Sequence, residues 1–160
     1  DIKGARIWRG AKTAIECNLK NAGFLRTRIE HITSFFAPDE VSEIWITFPD
    51  PQEKRIRAKK RLTSSRFLPL YRKFLKPGGL IHLKTDNHIL YDYTYRLCIH
   101  NDLKIIKSTS DLYETETDQN LLSIQTFYES QYLVQGVSIK YICFTIDDKE
   151  TITEPPEEKE

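Results

Sequence analysis

The 160-residue chain contains no methionine, only three cysteines and only six glycines. Cys17, Cys98 and Cys143 lie far apart and form no Cys-x-x-Cys pair, so neither a zinc site nor a disulfide framework is expected. The longest mostly apolar stretches, 43–48 and 141–146, are far shorter than the ~20 residues of a membrane-spanning helix. Reduced thiols and the lack of a signal peptide predict a cytoplasmic protein without membrane contact. Since no Met begins it, the chain is expected to be a piece of a longer protein.

Charge is divided unevenly along the chain. Residues 147–160 contain seven acids, two lysines and almost no apolar side chain, whereas 1–146 hold 22 basic and 16 acidic side chains. High net charge with low hydrophobicity is typical of disorder. We therefore expect one domain over 1–146 and an acidic, disordered tail over 147–160.

Strand-like apolar runs alternate with segments of helical period, which is typical of an α/β protein with a parallel sheet. Residues 43–48 are apolar on both faces and end at Pro49, as a central parallel strand does. Further strands are expected at 24–25, 80–85, 103–108 and 137–146, helices at 10–21, 29–36, 62–76 and about 88–100, and a surface loop at 109–123. The Lys-Pro-Gly-Gly sequence at 76–79 is expected to end the third helix.

Two acids follow predicted strands: Asp50 follows the strand at 43–48, and Asp86 follows the strand at 80–85. In open parallel sheets, ligands bind beyond the carboxyl ends of the strands. Two carboxylates at neighbouring strand ends therefore indicate a ligand site. The alternative is purely structural, with Asp50 in a proline-flanked turn and Asp86 with Asn87 capping the next helix.

A basic run follows Asp50. Such runs are most often solvated surface, but beside a strand-end acid this one would surround the site with positive potential, which suits a nucleic-acid backbone. The four histidines have no metal-binding spacing, so no metal is expected. The basic side chains expected on the nucleic-acid backbone are Arg55, Arg57, Lys59, Lys60 and Arg61, with Lys54 before them and Arg66 just beyond.

The sequence Phe-Pro-Asp-Pro-Gln-Glu-Lys at 48–54, followed by the basic run, closely resembles the bacterial tRNA (guanine-N7-)-methyltransferase family. The resemblance continues through Lys-Pro-Gly-Gly at 76–79, Leu-Lys-Thr-Asp at 83–86 and Thr-Phe-Tyr-Glu at 126–129, which leads to Gly136 and the last strand. Several motifs in family order, covering the chain up to about residue 146, make this resemblance more specific than any single pattern.

The resemblance implies a Rossmann-like sheet that binds S-adenosylmethionine and methylates N7 of guanine 46 in the variable loop of tRNA. In the family, the first strand and its Gly-rich turn cradle the methionine part of the cofactor. Both would precede Asp1, so this chain is expected to lack the middle of its own sheet and to be inactive alone. No metal and no obligatory protein partner are implied.

The resemblance also implies residue roles. Asp50 matches the catalytic acid near cofactor and guanine, Asp1 matches the acid that holds the cofactor's ribose, and Arg28 lies near its adenine, where the family usually has an acid or amide. Gln52 stands where the family commonly has Trp. Matches to substrate-binding positions are Lys54, Asp86, Thr126, Phe127, Tyr128 and Glu129, of which Tyr128 departs from the family's usual residue.

Two other functions remain open at this point. An RNA-binding module without catalytic activity would keep the basic run but lack the cofactor site. A nicotinamide-dependent enzyme would rest on analogy of fold alone.

Overall fold

The computed structural model describes residues 3–115, 122, 124–146, 149 and 151–156. Within these ranges, no helix is both long and apolar enough to cross a membrane. The strands are β1 (Val41–Thr47), β2 (Leu75–Thr85), β3 (Ile105–Thr109) and β4 (Lys140–Phe144). The helices are α1 (Gly4–Glu16), α2 (Leu68–Arg72), α3 (His88–His100), α4 (Leu112–Thr115) and α5 (Phe127–Val134), with two 3-10 helices, η1 (Ile29–Ser34) and η2 (Arg55–Lys60).

The four strands form one mixed sheet in the order β1-β2-β4-β3. β1 and β2 are parallel, whereas β4 is antiparallel to both β2 and β3. The α/β class is confirmed; the expected parallel pairing is found between β1 and β2, whereas β4 is antiparallel to its neighbours. Because β4 runs against β2, its first residue, Lys140, pairs with Thr85, the last residue of β2. The start of β4 therefore lies at the same edge of the sheet as the ends of β1 and β2.

β2 is the longest of the described strands and one of the two inner ones, and it begins earlier than predicted. Val41 pairs with Leu75, but Glu43 pairs with Leu80, so residues 76–79 bulge out between two paired segments. Gly78 has a φ of +72°, a backbone conformation that glycine adopts without a steric penalty. The Lys-Pro-Gly-Gly sequence thus forms a bulge within β2 rather than the end of a long helix.

The helices differ from the predicted ones mainly at their ends. α3 is confirmed, and the side chain of Asn87 caps it by accepting a hydrogen bond from the Leu90 amide at 3.0 Å. The helix predicted at 62–76 is reduced to α2, which has Pro69 in its first turn, where a proline is tolerated. α1 lies earlier than predicted, residues 24–25 form no strand, and α5 was not predicted. α4 lies in the predicted loop, of which 116–121 and 123 are outside the described residues.

Hydrophobic side chains cover both faces of the sheet. Successive residues of β4 point to opposite sides, so Ile142 packs in the main core and Tyr141 packs in a second cluster. The main core lies between the sheet and helices α2 and α3, to which Leu68 and Leu97 contribute fully buried side chains. β2 is therefore covered on both faces at its carboxyl end, where residues 81–85 are all buried.

The segment after β4 is packed where the sequence favours disorder. Ile152 is only 7% exposed and belongs to the main core. The Thr153 amide donates to the side-chain oxygen of Asn101 at 2.8 Å, and the Tyr93 hydroxyl donates to Glu154 at 2.8 Å. Residues 147, 148, 150 and 157–160 of the predicted tail lie outside the described residues. One apolar side chain with well-placed polar neighbours anchors a stretch whose average composition indicates disorder.

Two isoleucines provide a matched test of this core. Ile81 of β2 is fully buried, whereas Ile106 of the edge strand β3 is 48% exposed. We expect Ile81→Ala to lower the free energy of unfolding by about 2–5 kcal/mol, because it removes apolar contacts and leaves a cavity. Ile106→Ala should cost about 1 kcal/mol or less. Urea unfolding followed by circular dichroism measures both, and equal losses would contradict the placement of the core.

Candidate active site

Three segments meet at the edge of the sheet where β1 and β2 end. The Phe48 amide, just after β1, donates to the carbonyl of Lys84 at 2.9 Å. Asn87, just after β2, donates from its side chain to the carboxylate of Glu53 at 2.8 Å. The two strand-end loops that carry Asp50 and Asp86 therefore lie side by side, as the parallel pairing of β1 and β2 requires.

The loop after β1 presents Asp50 to solvent. The Asp50 carboxylate accepts a hydrogen bond from the Gln52 amide at 3.0 Å, and the side chain is exposed. Phe48 and Gln52, on either side, have φ angles of +47° and +48°. Such angles are strained for residues other than glycine, and they persist only where neighbouring contacts hold the backbone. The loop therefore needs support from outside itself.

Arg61 supplies that support. Its side chain is buried, with 4% exposure. Its Nε donates to the carbonyl of Pro51 at 3.1 Å, and its Nη2 donates to the carbonyls of Gln52 at 3.1 Å and Glu53 at 3.4 Å. The guanidinium carbon lies 4.3 Å from the centre of the Tyr93 ring. Burial lowers the pKa of Arg61, although Tyr93 and Glu154 oppose this shift.

The position of Arg61 differs from the surface role expected for it. A phosphate contact needs an accessible guanidinium, whereas this one is turned inward onto loop carbonyls. The other members of the basic run are exposed on or beside η2, and the Arg57 amide donates to the carbonyl of Lys54 at 2.8 Å. These exposed side chains are Lys54, Arg55, Arg57, Lys59 and Lys60.

The third segment is the start of α5, which is tied to β2 by a buried ion pair. Lys84 Nζ lies 2.6 Å from the Glu129 carboxylate, and their side chains are 3% and 0% exposed. The Tyr113 hydroxyl donates to the same carboxylate at 2.6 Å. Burial, followed by the hydrogen bond to Glu129, raises the pKa of Tyr113. Lys84 also donates to the carbonyl of Leu122 at 3.1 Å, so this cluster fixes the chain before α5 as well.

Glu129 and Thr126 form a capping box at the start of α5. The Glu129 amide donates to the Thr126 hydroxyl at 3.2 Å, and the Thr126 amide donates to the Glu129 carboxylate at 3.1 Å. Of the four predicted substrate-binding residues here, Glu129 is therefore inaccessible in this structure. Phe127 and Tyr128 are 72% and 45% exposed, and Arg6 of α1 donates to the Tyr128 hydroxyl at 2.9 Å.

The remaining predicted site residues are spread more widely. Asp86 is half-buried, and its carbonyl accepts from Lys140 at 3.4 Å. Arg28 is exposed and directly precedes η1. Asp1 lies outside the described residues. In the described part of the chain, no group of three or more His, Cys, Asp or Glu side chains could hold a metal ion.

Sequence reasoning missed several residues that build this site. Lys84 is predicted to lie in a strand and Tyr113 in a polar loop, so the neighbouring sequence does not indicate that either side chain contacts Glu129. The sequence predicts for Asn87 only a capping role at the start of α3, although its side chain also joins the two strand-end loops. A signal for α5 did exist, because Thr126 followed three residues later by Glu129 is the pattern of a capping box.

The buried ion pair between Lys84 and Glu129 can be tested by its contribution to stability. Lys84→Met should lower the free energy of unfolding by about 3–5 kcal/mol, because it leaves the Glu129 carboxylate buried without its cation. The double variant Lys84→Met/Glu129→Gln should recover much of that loss. Lys12→Met is the matched control, since its pair with Glu16 is exposed, at 3.7 Å, and should contribute less than about 0.5 kcal/mol. Urea unfolding measures all three, and a small loss for Lys84→Met would contradict the pairing.

Comparison with known proteins gives the chain its family. A family model described as "Putative methyltransferase" matches residues 2–142. The tRNA (guanine-N(7)-)-methyltransferase of Bacteroides thetaiotaomicron is 49% identical over 160 residues, which are 100% of this chain and 63% of that protein. The proteins of the same name from Porphyromonas gingivalis and Christiangramia forsetii are both 52% identical, over 92% and 91% of this chain and 60% and 66% of their own lengths.

The chain thus spans less than two thirds of the length of these curated relatives. A solved structure titled as a SAM dependent methyltransferase from Archaeoglobus fulgidus has a TM-score of 0.44 and 10% identity, and the likeness covers 90% of this chain and 73% of that one. That likeness is too distant to bear on the fold. Identities near one half and a family match over 2–142 show that the chain belongs to the tRNA (guanine-N7-)-methyltransferase family.

Proposed function

We propose that the protein transfers the methyl group of S-adenosylmethionine to N7 of a guanine in tRNA, at position 46 of the variable loop. The observation that carries the proposal is the meeting, at one edge of the sheet, of the Asp50 and Asp86 loops with the start of α5, where the exposed cations of η2 follow the Asp50 loop directly. The three named relatives are tRNA (guanine-N(7)-)-methyltransferases. A cytoplasmic location follows for an enzyme that acts on tRNA.

Methylation of guanine N7 needs few catalytic groups from the protein. N7 of guanine carries an exposed lone pair and no proton, so its methylation needs neither a general base nor a covalent enzyme intermediate. Positioning of the methyl donor in line with N7 supplies most of the acceleration. As the methyl group transfers, positive charge develops on the guanine ring, and a carboxylate beside the ring stabilises that charge. Asp50 is the residue proposed for this role.

The chemistry of the Asp50 loop fits the proposed methyl donor. S-adenosylmethionine, when bound, supplies an electrophilic methyl group on a cationic sulfur. The exposed Asp50 carboxylate accepts a hydrogen bond from the Gln52 amide of its own loop and is an anionic group of the kind that suits a cationic ligand. Asp1 and Arg28 are the further proposed cofactor contacts, to the ribose and the adenine.

The exposed side chains of η2 are proposed to contact the tRNA backbone. Arg55, Arg57, Lys59 and Lys60 follow directly after the Asp50 loop, so they would place phosphates beside the reacting base. Such contacts position nucleic acid without reading its sequence. Base-edge contacts are assigned to the substrate-binding residues that the resemblance implies, Lys54, Asp86, Thr126, Phe127 and Tyr128, whereas the buried Glu129 acts by capping α5.

Replacement of Asp50 tests the proposed catalytic role. In the whole gene product, we expect Asp50→Asn to lower kcat/KM for methyl transfer about 100-fold, because one charge-stabilising group is lost. The Kd for tRNA should change less than about threefold. Methyl incorporation from labelled S-adenosylmethionine into unmodified tRNA, with identification of the product nucleoside, measures the first quantity, and filter binding measures the second.

Asp102→Asn is the control, because Asp102 is an exposed carboxylate that lies 3.5 Å from the ammonium of Lys149. Equal losses of transfer and binding in Asp50→Asn would contradict the catalytic role. Wild-type protein that binds tRNA and forms no 7-methylguanine would favour the binding module instead.

Charge reversal on η2 tests the tRNA interface. We expect Lys59→Glu/Lys60→Glu to weaken tRNA binding and to reduce the slope of log Kd against log salt by about 1.4–1.8, since each of the two lost phosphate contacts removes roughly 0.7–0.9. Lys73→Glu/Lys76→Glu is the matched control, because these exposed lysines lie at the opposite end of β2. An unchanged slope for the η2 variant would exclude these residues from the interface.

A further inference from the structure

A continuous chain of contacts joins the segment after β4 to the Asp50 loop. We propose that Arg61 is a positioning residue that holds the Asp50 loop in its reactive conformation, and that Glu154 holds Arg61 through Tyr93. This inference rests on the proposed methyl transfer, because it assigns Asp50 a task at which small displacements matter. It gives Arg61 a role other than phosphate binding and gives the C-terminal segment a role in catalysis.

The first link is the set of hydrogen bonds that the Arg61 guanidinium donates to the Asp50 loop. Three consecutive carbonyls, those of Pro51, Gln52 and Glu53, accept hydrogen bonds from one guanidinium at 3.1–3.4 Å. Hydrogen bonds from a charged donor are among the stronger ones in proteins. They act on the part of the loop where Gln52 has a strained φ of +48°, so Arg61 provides the external contacts that such a conformation needs.

The second link is Tyr93, which contacts Arg61 and Glu154 at once. Its ring lies under the guanidinium, with 4.3 Å between the ring centre and the guanidinium carbon, and its hydroxyl donates to the Glu154 carboxylate at 2.8 Å. A cation over an aromatic face is stabilised by the ring's charge distribution. The negative charge of Glu154 also favours the charged form of the buried Arg61.

The third link fixes Glu154 itself. The other oxygen of its carboxylate accepts from both the amide and the hydroxyl of Ser65. Thr153 is bonded to Asn101 at the end of α3, and Ile152 is inserted into the main core. Both carboxylate oxygens of Glu154 are therefore hydrogen-bonded, and the residues just before it are packed, unlike those of a disordered acidic tail.

A guanidinium is the group that this arrangement requires. Its planar fork reaches several acceptors in fixed directions, whereas a lysine ammonium is a single point on a flexible stem. Arg61→Lys therefore keeps the charge but loses the fork, and Glu154→Gln keeps the shape but loses the charge. If Arg61 instead contacted phosphate, a lysine at the same position would preserve most of the tRNA affinity and activity.

The experiment compares Arg61→Lys and Glu154→Gln in the whole gene product, with Lys149→Gln as control. Lys149 lies in the same segment, and its side-chain partner in the described residues is the exposed Asp102. Hydrogen exchange measured by mass spectrometry reports on the amides of 50–57, among which the Gln52 amide is bonded to Asp50. Steady-state methyl transfer to tRNA separates kcat from KM.

We expect Arg61→Lys to accelerate exchange in 50–57 about tenfold and to lower kcat about tenfold, with KM for tRNA and the salt slope unchanged. Glu154→Gln should produce the same pattern to a smaller extent, and Lys149→Gln should match the wild type. Loop exchange that is unchanged in Arg61→Lys would overturn the proposal. So would a raised KM with an unchanged kcat, because Arg61 would then act on tRNA directly.

The two readouts separate this inference from the proposed function. Hydrogen exchange needs no substrate, so the support of the loop is tested even if the wild type forms no 7-methylguanine. In that case the function fails while the exchange result still decides whether Arg61 holds the loop. If Arg61→Lys does not fold, Glu154→Gln provides the same test, and unchanged loop exchange in that variant overturns the role of Glu154.

Discussion

The ion pair between Lys84 and Glu129 is the contact on which the geometry of the site depends. Both side chains are buried, so removal of either one leaves the other's charge without a compensating partner. Lys84 lies one residue before the end of β2, and Glu129 lies in the first turn of α5. The pair therefore fixes α5, a short helix far along the chain, to the edge of the sheet where the strand-end loops meet.

The buried side chains of Lys84 and Arg61 hold the segments at this edge of the sheet together, each with a different geometry of hydrogen bonds. Lys84 is a point charge that gathers one carboxylate and two carbonyls around itself. Arg61 is a planar fork that spans three consecutive carbonyls of one loop. Lysine and arginine are not interchangeable in such sites. Both are therefore poor candidates for the proposed contacts with tRNA, whereas the side chains of η2 are exposed.

The part of this arrangement that local sequence determines could be predicted. The Asn87 cap and the helical period give α3, and the apolar stretch at 43–48 gives most of β1. The parallel pairing of successive strands then places the loops of Asp50 and Asp86 together, which the contact between Asn87 and Glu53 reflects. These inferences work because the groups involved are close in sequence or follow from the direction of the strands.

What could not be predicted depends on contacts between distant residues. Arg61 looks like its neighbours in the basic run, and only burial against Tyr93, 32 positions away, distinguishes it. Glu154 lies 89 positions from its partner Ser65, in a segment whose composition indicates disorder. Charge counts treat every lysine, arginine and glutamate alike, although the buried ones hold backbone segments in place and the exposed ones of η2 are those proposed to bind tRNA. At this site, burial separates the charges that hold the backbone from those proposed to bind tRNA, because a buried charge needs hydrogen-bond or ionic partners within the protein and is then not available to a ligand.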